Sequence, residues 1–319
     1  MRSIIPVFLA LLLACSGALG QSNSTSFDDH LTAALRSLVA DSSANLTSYR
    51  FFMEMQQKID LVNLTTDDVQ RIYTHSFGFG SANVTERALK MSLTSLTYDE
   101  ADAENASVMA IEEYLLNDTI YMKLDGNWTA LKMPSVSEAW ASQSTMAQQL
   151  EMINQSRLTL IGSEMVDGQD CYKVRADMDM GGIAGQLSSE ATSLVPMQGM
   201  NYSELFSNMS IGVYYWISKD THLLKKTDIL ETFVMTPESF GVPANQSETQ
   251  EMRITAEVSM LFKGYNENIA IKLPPEAEAA RSFSSIFMES TESDTAVLNG
   301  NVTAVDDAQS NETATENRT

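Results

Sequence analysis

A strict alternation of apolar and polar residues over residues 49–61 constrains the fold of this chain more than any other feature. The odd positions from Tyr49 to Leu61 are apolar except for Gln57, whereas most even positions are polar or charged. A period of two residues is that of a β-strand with one buried face. The alternation returns over residues 249–263, where the apolar positions are Met252, Ile254, Ala256, Val258, Met260 and Phe262. Both segments predict half-buried strands of an antiparallel sheet.

Shorter segments extend the predicted sheet along the chain. Their patterns indicate strands near residues 71–79, 86–98, 107–116, 157–166, 170–178, 211–218 and 223–235. The segment 117–133 is typical of a β-hairpin, because Asp125-Gly126 suits a two-residue type I′ turn. This turn predicts a register in which the cross-strand pairs are Leu124 with Asn127, Lys123 with Trp128 and Tyr121 with Ala130. Apolar residues then lie on both faces of the hairpin, so we expect it to be covered on two sides.

Three segments have helical rather than strand periodicity. Residues 27–39 predict a helix with Phe27, Leu31, Leu35 and Leu38 on one face, and residues 138–153 predict a second helix. Residues 181–209 predict a third helical region that carries several glycines. Within it, one segment has Ile183, Leu187, Ala191 and Leu194 at helical spacing, and a further segment runs near 201–209. Because the last two regions interrupt the order of the strands, they are candidates either for a lid that moves or for a fixed packing layer.

Asparagine residues provide the clearest signal of modification and export. Of the 17 asparagines, 14 begin an Asn-x-Ser/Thr triplet without proline in the middle, whereas chance predicts about three or four. We therefore predict an exported, N-glycosylated chain. The predicted acceptors are Asn23, Asn45, Asn63, Asn83, Asn105, Asn117, Asn127, Asn154, Asn201, Asn208, Asn245, Asn301, Asn311 and Asn317.

The two ends of the chain are predicted to be a signal peptide and a polar tail. Residues 21–288 between them are the predicted folded domain. Residues 1–20 have the short apolar core and small-residue cleavage pattern of a signal peptide. An alternative is that Cys15 is lipidated, which would anchor the mature chain peripherally at a membrane. Residues 289–319 are acidic and contain three triplets, which predicts a disordered, glycosylated tail. No later stretch is apolar enough to predict a transmembrane helix.

Composition and motif content exclude several classes of function. The formal net charge of −22 argues against nucleic-acid binding and against an electrostatic grip on anionic headgroups. Cleavage after Gly20 would leave Cys171 as a single cysteine, which predicts a small buried residue and no intrachain disulfide. The three histidines are far apart in sequence, and the "FGFGS" of residues 77–81 lacks the context of a dinucleotide loop. We predict a protein that is not an enzyme and has no metal or other cofactor.

Four motifs in order resemble the LolA/LppX-like lipoprotein-carrier superfamily over about residues 27–280. They are "IYMKLDGNWTALKM", "VDGQDCYKVRADM", "YYWISKDTHLLKK" and "YNENIAIKLPPEA". The resemblance implies an α+β fold: a strongly curved antiparallel sheet of about ten or eleven strands, forming an unclosed barrel with helical lid segments on its concave face. It also implies a lipid or acyl-chain ligand, and a lipoprotein as a further partner class. The glycosylation triplets and the acidic tail depart from that family, so the family's partner does not transfer.

A ligand cavity would be lined by apolar side chains of the first strand and of the two later helical regions. Methionine is abundant, with 19 residues, and its flexible thioether suits an irregular apolar pocket. The predicted lining residues are Phe51, Met53, Met55, Trp140, Met146, Leu150, Ile183 and Leu187. Two hypotheses remain: a carrier or sensor of a lipid or other apolar ligand, and a structural envelope glycoprotein with a packed core. The sequence leaves the oligomeric state open.

Overall fold

One twelve-stranded sheet dominates the computed structural model, which describes residues 27–178, 208–236 and 250–282. Within these ranges the elements are α1 (Phe27–Ser43), β1 (Ser48–Asn63), β2 (Val69–Asn83), β3 (Ala88–Asp99), β4 (Asp102–Leu116), β5 (Thr119–Leu124), β6 (Asn127–Lys132), α2 (Val136–Gln143), α3 (Thr145–Gln155), β7 (Arg157–Val166), β8 (Gln169–Asp177), β9 (Met209–Ser218), β10 (Leu224–Met235), β11 (Gln250–Lys263) and β12 (Arg281–Ser282).

The predicted fold class is confirmed: the protein is α+β, with a curved, mainly antiparallel sheet that does not close into a barrel. The sheet has twelve strands, one more than the upper predicted count of eleven. Arg281 and Ser282 form β12, which pairs in parallel with β6. Two residues are too few for an alternation, so the sequence pattern could not reveal this strand.

Two meanders meet at the centre of the sheet. The strand order is β12-β6-β5-β4-β3-β2-β1-β11-β10-β9-β8-β7, so β1 to β6 run outward from the centre in one direction and β11 to β7 in the other. The central pair is β1 with β11, in a register that places Phe51 beside Phe262 and Met53 beside Met260. All four side chains are buried, which confirms the alternation seen in both segments.

The hairpin β5–β6 has the predicted register, with Leu124 opposite Asn127, Lys123 opposite Trp128 and Tyr121 opposite Ala130. It is also covered on two sides, as expected. Ile120 joins the main core on the concave face. Trp128 lies on the outer face, in a cluster with Tyr114 and Ala277.

The predicted apolar face of the first helix is correct at Leu35 and wrong at Leu31 and Leu38. Leu31 and Leu38 are 50% and 42% exposed, whereas Thr32, Leu35 and Val39 are buried. The helix also continues to Ser43, beyond the predicted end at residue 39. The contact of this helix with α3 explains which of its faces is buried. Arg36 donates hydrogen bonds to the carbonyl oxygens of Ile153 (3.1 Å) and Ser156 (2.8 Å) at the end of α3.

The predicted single helix over residues 138–153 is two helices, α2 and α3, which are separated at Ser144. Ser144 has an extended backbone conformation, and its Oγ accepts a hydrogen bond from the backbone N–H of Ala147. Serine is a favoured N-cap, so it starts a new helix where the periodicity of apolar residues suggested a continuous one.

Two long connections cover the two faces of the sheet. Because β6 and β7 lie toward opposite edges, α2 and α3 cross the concave face between them, and Ala139, Met146 and Ile153 enter the main core. Residues 264–280, here called the strap, link β11 to β12 across the outer face. The strap is held by Asn266, whose Oδ1 accepts a hydrogen bond from the backbone N–H of Thr47 (2.8 Å), and by the Ile269 carbonyl, which accepts one from Asn83 (3.0 Å).

Several predictions fall outside the described residues. These are the signal peptide of residues 1–20, Cys15, the tail of residues 289–319, and Ile183 and Leu187 within residues 181–207. The predicted helical region 181–209 is wrong at its last residue, because Met209 begins β9. The boundaries of the 21–288 domain stay predictions.

Candidate functional site

The concave face brings together the described members of the predicted lining set. Phe51, Met53 and Met55 are successive inward residues of β1, and all three are buried. Met146 of α3 joins Phe51 and Met53 in the main core, and Trp140 and Leu150 pack against it. Five of the six side chains therefore meet between β1 and the helices, whereas Met55 is buried on the same face outside this cluster.

Two glycines of the "FGFGS" segment allow the first strand to fill this core. Gly80 lies opposite Phe51 in the register, and Gly78 lies opposite Met53. A Cβ atom at Gly80 would be 2.2 Å from Cζ of Phe51, and one at Gly78 would be 3.4 Å from Cε of Met53. The segment thus provides room for an aromatic ring on the concave face. Sequence reasoning missed this role, although alternation of Gly and Phe over four positions is a strand signal.

Methionines cover much of the concave face outside the helices. The strand register assigns nine of them to inward positions: Met53, Met55, Met91, Met109, Met122, Met209, Met235, Met252 and Met260. Met235 and Met252 belong to a second apolar cluster with Ile59, Phe233 and Ile254, toward the end of the sheet far from α2 and α3. Unbranched thioether side chains adapt to contacts of variable shape.

Polar groups lie between the two apolar regions of the concave face. The hydroxyls of Ser76 and Ser95 are 2.7 Å apart, and those of Thr74 and Thr97 are 3.0 Å apart. These residues are on neighbouring strands β2 and β3, and three of the four side chains are buried. The concave face is therefore amphipathic along the strand direction, with hydroxyl pairs in its middle.

Two carboxyl groups are buried on the same face, and sequence reasoning missed both. Glu113 is 5% exposed and lies between Met91 and Met122, and Glu231 is 4% exposed and lies between Ile211 and Ala256. Burial raises the pKa of each carboxyl to about 7. One oxygen of each has no hydrogen-bond partner in the described structure. The sequence did carry a signal, because both residues occupy positions of the strand alternation that face the concave side.

Tyr215 and Thr227 add two hydroxyls of the same kind. They are cross-strand neighbours on β9 and β10, are fully buried, and have no hydrogen-bond partner within the described ranges. Burial raises the pKa of the Tyr215 hydroxyl above its ordinary value. A buried polar group without a partner costs about 1–3 kcal/mol. Four such residues on one face mark the interior of the sheet as the candidate site.

The helices above this site are tied to the sheet at their junction. The hydroxyl of Tyr49, on β1, lies 3.2 Å from Oγ of Ser144 and accepts a hydrogen bond from the backbone N–H of Met146 (3.3 Å). Burial raises the pKa of Tyr49, which is fully enclosed. Together with the bonds of Arg36 to the end of α3, these contacts favour a fixed packing layer over a moving lid for α2 and α3.

The eight predicted glycosylation sites in the described residues lie at turns, near the ends of elements or on a helix. Six are exposed, and Asn63 and Asn83 are half-buried. Asn117 occupies the β4–β5 turn and Asn127 is the first residue of β6, and both are exposed. Asn83 differs, because its side-chain amide donates a hydrogen bond to the strap at Ile269.

Other candidate chemistry is limited within the described residues. They contain no group of three His, Cys, Asp or Glu side chains that could hold a metal ion. Cys171 is buried on the outer face beside Val166 and Trp216, and burial raises the pKa of its thiol. The described helices include none with the length and hydropathy needed to cross a membrane.

A curved antiparallel sheet with helices in its concavity defines a half-barrel α+β protein. Residues 34–282 match the family described as "Family of unknown function (DUF6612)", and the chain belongs to that family. No curated protein matches the sequence.

Solved structures that the chain resembles include three bacterial proteins. Lipoprotein LppX of Mycobacterium tuberculosis is 15% identical, with a TM-score of 0.39, and the match covers 76% of this chain and 100% of LppX. LprF of Mycobacterium bovis is 14% identical, with a TM-score of 0.36 and coverage of 76% and 97%. A putative outer membrane lipoprotein-sorting protein domain of Vibrio parahaemolyticus is 11% identical, with a TM-score of 0.24 and coverage of 75% and 95%. The resemblance predicted from the motifs is thus found among solved structures, and it concerns the fold.

Proposed function

We propose that the protein is an exported, N-glycosylated carrier or sensor that binds a lipid or similar amphipathic molecule on its concave face. One observation carries this proposal: buried polar atoms without partners lie in a face lined by methionines. Glu113, Glu231, Tyr215 and Thr227 offer hydrogen bonds that the described chain leaves unused. A ligand with a polar group and an acyl chain would use both kinds of surface.

Burial provides the binding free energy, so catalysis is not required. Each CH₂ group removed from water contributes about 0.8 kcal/mol, and a hydrogen bond from the ligand to Glu231 would remove the cost of an unpaired buried carboxyl. The exposed positions of Asn117 and Asn127 at the hairpin ends leave room for glycans outside the packed layers. We propose glycan attachment at these rims, and the signal peptide or a lipidated Cys15 as the route to the cell surface.

A packed core without ligand is the second candidate function, that of a structural envelope glycoprotein. The nearly complete burial of Phe51, Met53 and Met146 favours it. Organic extraction and mass spectrometry of the purified protein distinguish the two functions. A stoichiometric lipid is expected for the carrier, and a sample without lipid would support the structural protein.

A variant of Glu231 tests whether a polar group of the ligand is recognised at the proposed place. Glu231→Leu removes an unpartnered buried carboxyl, so we expect a more stable protein that retains less lipid. Glu257→Leu is the matched control, since Glu257 is exposed on the outer face of the neighbouring strand β11. Urea denaturation of the variant checks that lipid loss does not come from unfolding. Unchanged lipid content in Glu231→Leu would place the polar contact elsewhere.

A further inference from the structure

The outer face of the central strands exposes three phenylalanines. Phe52 and Phe79 lie directly opposite each other on β1 and β2, and Phe77 is the next outward residue of β2. Their exposed fractions are 41%, 62% and 48%, respectively. We call Phe52, Phe77 and Phe79 the phenylalanine patch. Contiguous exposed aromatic surface on a folded protein marks an interaction site.

A cationic pocket of about 460 Å³ adjoins this patch beneath the strap. Its lining includes the cations Arg50, Lys90 and Lys272, the hydroxyl of Ser81 and the amide of Asn268, and it includes no acidic residue. Arg50 precedes Phe52 by two residues, and Ser81 follows Phe79 by two. The pocket and the patch are therefore adjacent on the same two strands.

The charges of the pocket are only partly compensated. Arg50 pairs with Glu267, and Lys90 lies 3.5 Å from Glu112. Lys272 is exposed and has no ion pair with any described residue. The pocket contains three cations in a chain with a net charge of −22. It can therefore attract an anion locally, although the chain as a whole repels anions.

The strap fixes one wall of the pocket. Gly264 begins it with φ of +62°, and a Cβ atom there would lie 3.1 Å from Nη1 of Arg50. Ser48 donates a hydrogen bond to the carbonyl of Glu267 (2.5 Å), and further along Ile271 and Leu273 pack against Tyr114 and Trp128. The pocket is thus held at both ends by packed residues.

Seven of the eight predicted glycan acceptors in the described residues leave this region free. Among the eight described acceptors, the one nearest to the patch along β1 or β2 is Asn83, four residues beyond Phe79. Its amide is already bonded to the strap. The other seven lie at turns, on the helix α3 or toward strand ends distant from Phe52 and Phe79.

We propose that this outer surface docks on an anionic lipid bilayer, with a headgroup phosphate in the cationic pocket and the phenylalanine patch at the interface. Aromatic rings partition favourably to the boundary between headgroups and acyl chains, and cations beside them bind the phosphates. Membrane binding therefore comes from two adjacent features of the outer face, independently of the concave site and of any lipid at Cys15.

Vesicle flotation with the full chain tests the docking surface. Vesicles of phosphatidylcholine that contain phosphatidylglycerol are expected to carry the protein upward, and vesicles of phosphatidylcholine alone are expected to carry much less. Lys272→Glu should lower the vesicle-bound fraction about tenfold. Lys132→Glu makes the same change of charge at an exposed site on β6 and should leave binding nearly unchanged.

The aromatic part of the surface has its own matched pair of variants. Phe79→Ser should weaken flotation, whereas Leu230→Ser, at another exposed apolar residue of the outer face on β10, should not. Equal binding to both vesicle types, or insensitivity to Lys272→Glu, would overturn the proposal. Binding of inorganic phosphate without vesicle binding would also overturn it. So would a loss of self-association in Phe79→Ser without any effect on flotation, which would identify a protein interface.

Discussion

At the scale of single residues, Gly80 controls the packing of the central strands. Its neighbour Phe51 occupies the space that a side chain would need. Gly80→Ala would place Cβ 2.2 Å from the Phe51 ring and 2.9 Å from the carbonyl oxygen of Lys90, so we expect a loss of about 1–3 kcal/mol in the free energy of unfolding. Urea denaturation measures this loss. Gly162→Ala is the control, because nothing lies within 4 Å of the added atom. Equal stability of the two variants would contradict the close packing of Phe51.

The buried carboxyls Glu113 and Glu231 predict a dependence of stability on pH. Each has a pKa of about 7 in the folded protein, against an ordinary value of 4.5. Between these values the folded chain holds protons that the unfolded chain has released, so the free energy of unfolding falls as pH rises from about 4.5 to 7 and then levels. The full effect is about 3 kcal/mol for each carboxyl.

The double variant Glu113→Gln and Glu231→Gln isolates this effect. The unfolding free energy of the wild type minus that of the variant should decrease as pH rises from about 4.5 to 7. Urea denaturation at a series of pH values measures this difference. Glu257→Gln, at an exposed carboxyl, should behave as wild type. A difference that stays constant with pH would mean that neither carboxyl holds a proton in the folded state.

At the scale of elements, the junction between α2 and α3 decides whether the helices move. Tyr49→Phe removes the hydroxyl that contacts Ser144 and Met146. We expect a loss of about 1–2 kcal/mol in the free energy of unfolding, together with faster amide hydrogen exchange confined to residues 136–155. Tyr98→Phe is the control, since the Tyr98 hydroxyl forms no hydrogen bond to the described chain. Unchanged exchange in Tyr49→Phe would mean that this hydroxyl does not hold the helices in place, and it would favour the moving lid.

The elements also show what the sequence could and could not predict. Strands β1 and β11 and the hairpin β5–β6 were predictable because one face is apolar and the Asp125-Gly126 turn fixes the register. The break at Ser144 was not, because the helix period continues across it and the partner that stabilises it, Tyr49, is far away in sequence. The exposed Leu31 and Leu38 show the same limit: the tertiary partners of α1 determine its phase.

At the scale of the whole molecule, net charge does not describe how charge is distributed over the surface. A net charge of −22 argued against contact with anionic headgroups, yet the fold gathers Arg50, Lys90 and Lys272 in one pocket. Residues distant in sequence form that pocket, so no local motif could have revealed it. For the proposed concave site, the sequence predicted Phe51, Met53 and Met146, which the fold buries in one core. The polar residues Glu113 and Glu231 were missed because only apolar residues were considered at the inward positions of each strand.

The central pair of strands has a consequence for how the chain folds. Even the closest-spaced partners of β1 and β11, Asn63 and Gln250, are 187 positions apart, whereas residues 64–68 alone join β1 to β2. Loop-closure entropy delays such a distant pairing, so we expect the two meanders to form first and to join late. Until they join, β1 and β11 are both open strand edges rich in Phe, Met and Ile. The slow step of folding is then also the step at which two nascent chains could exchange these strands or aggregate.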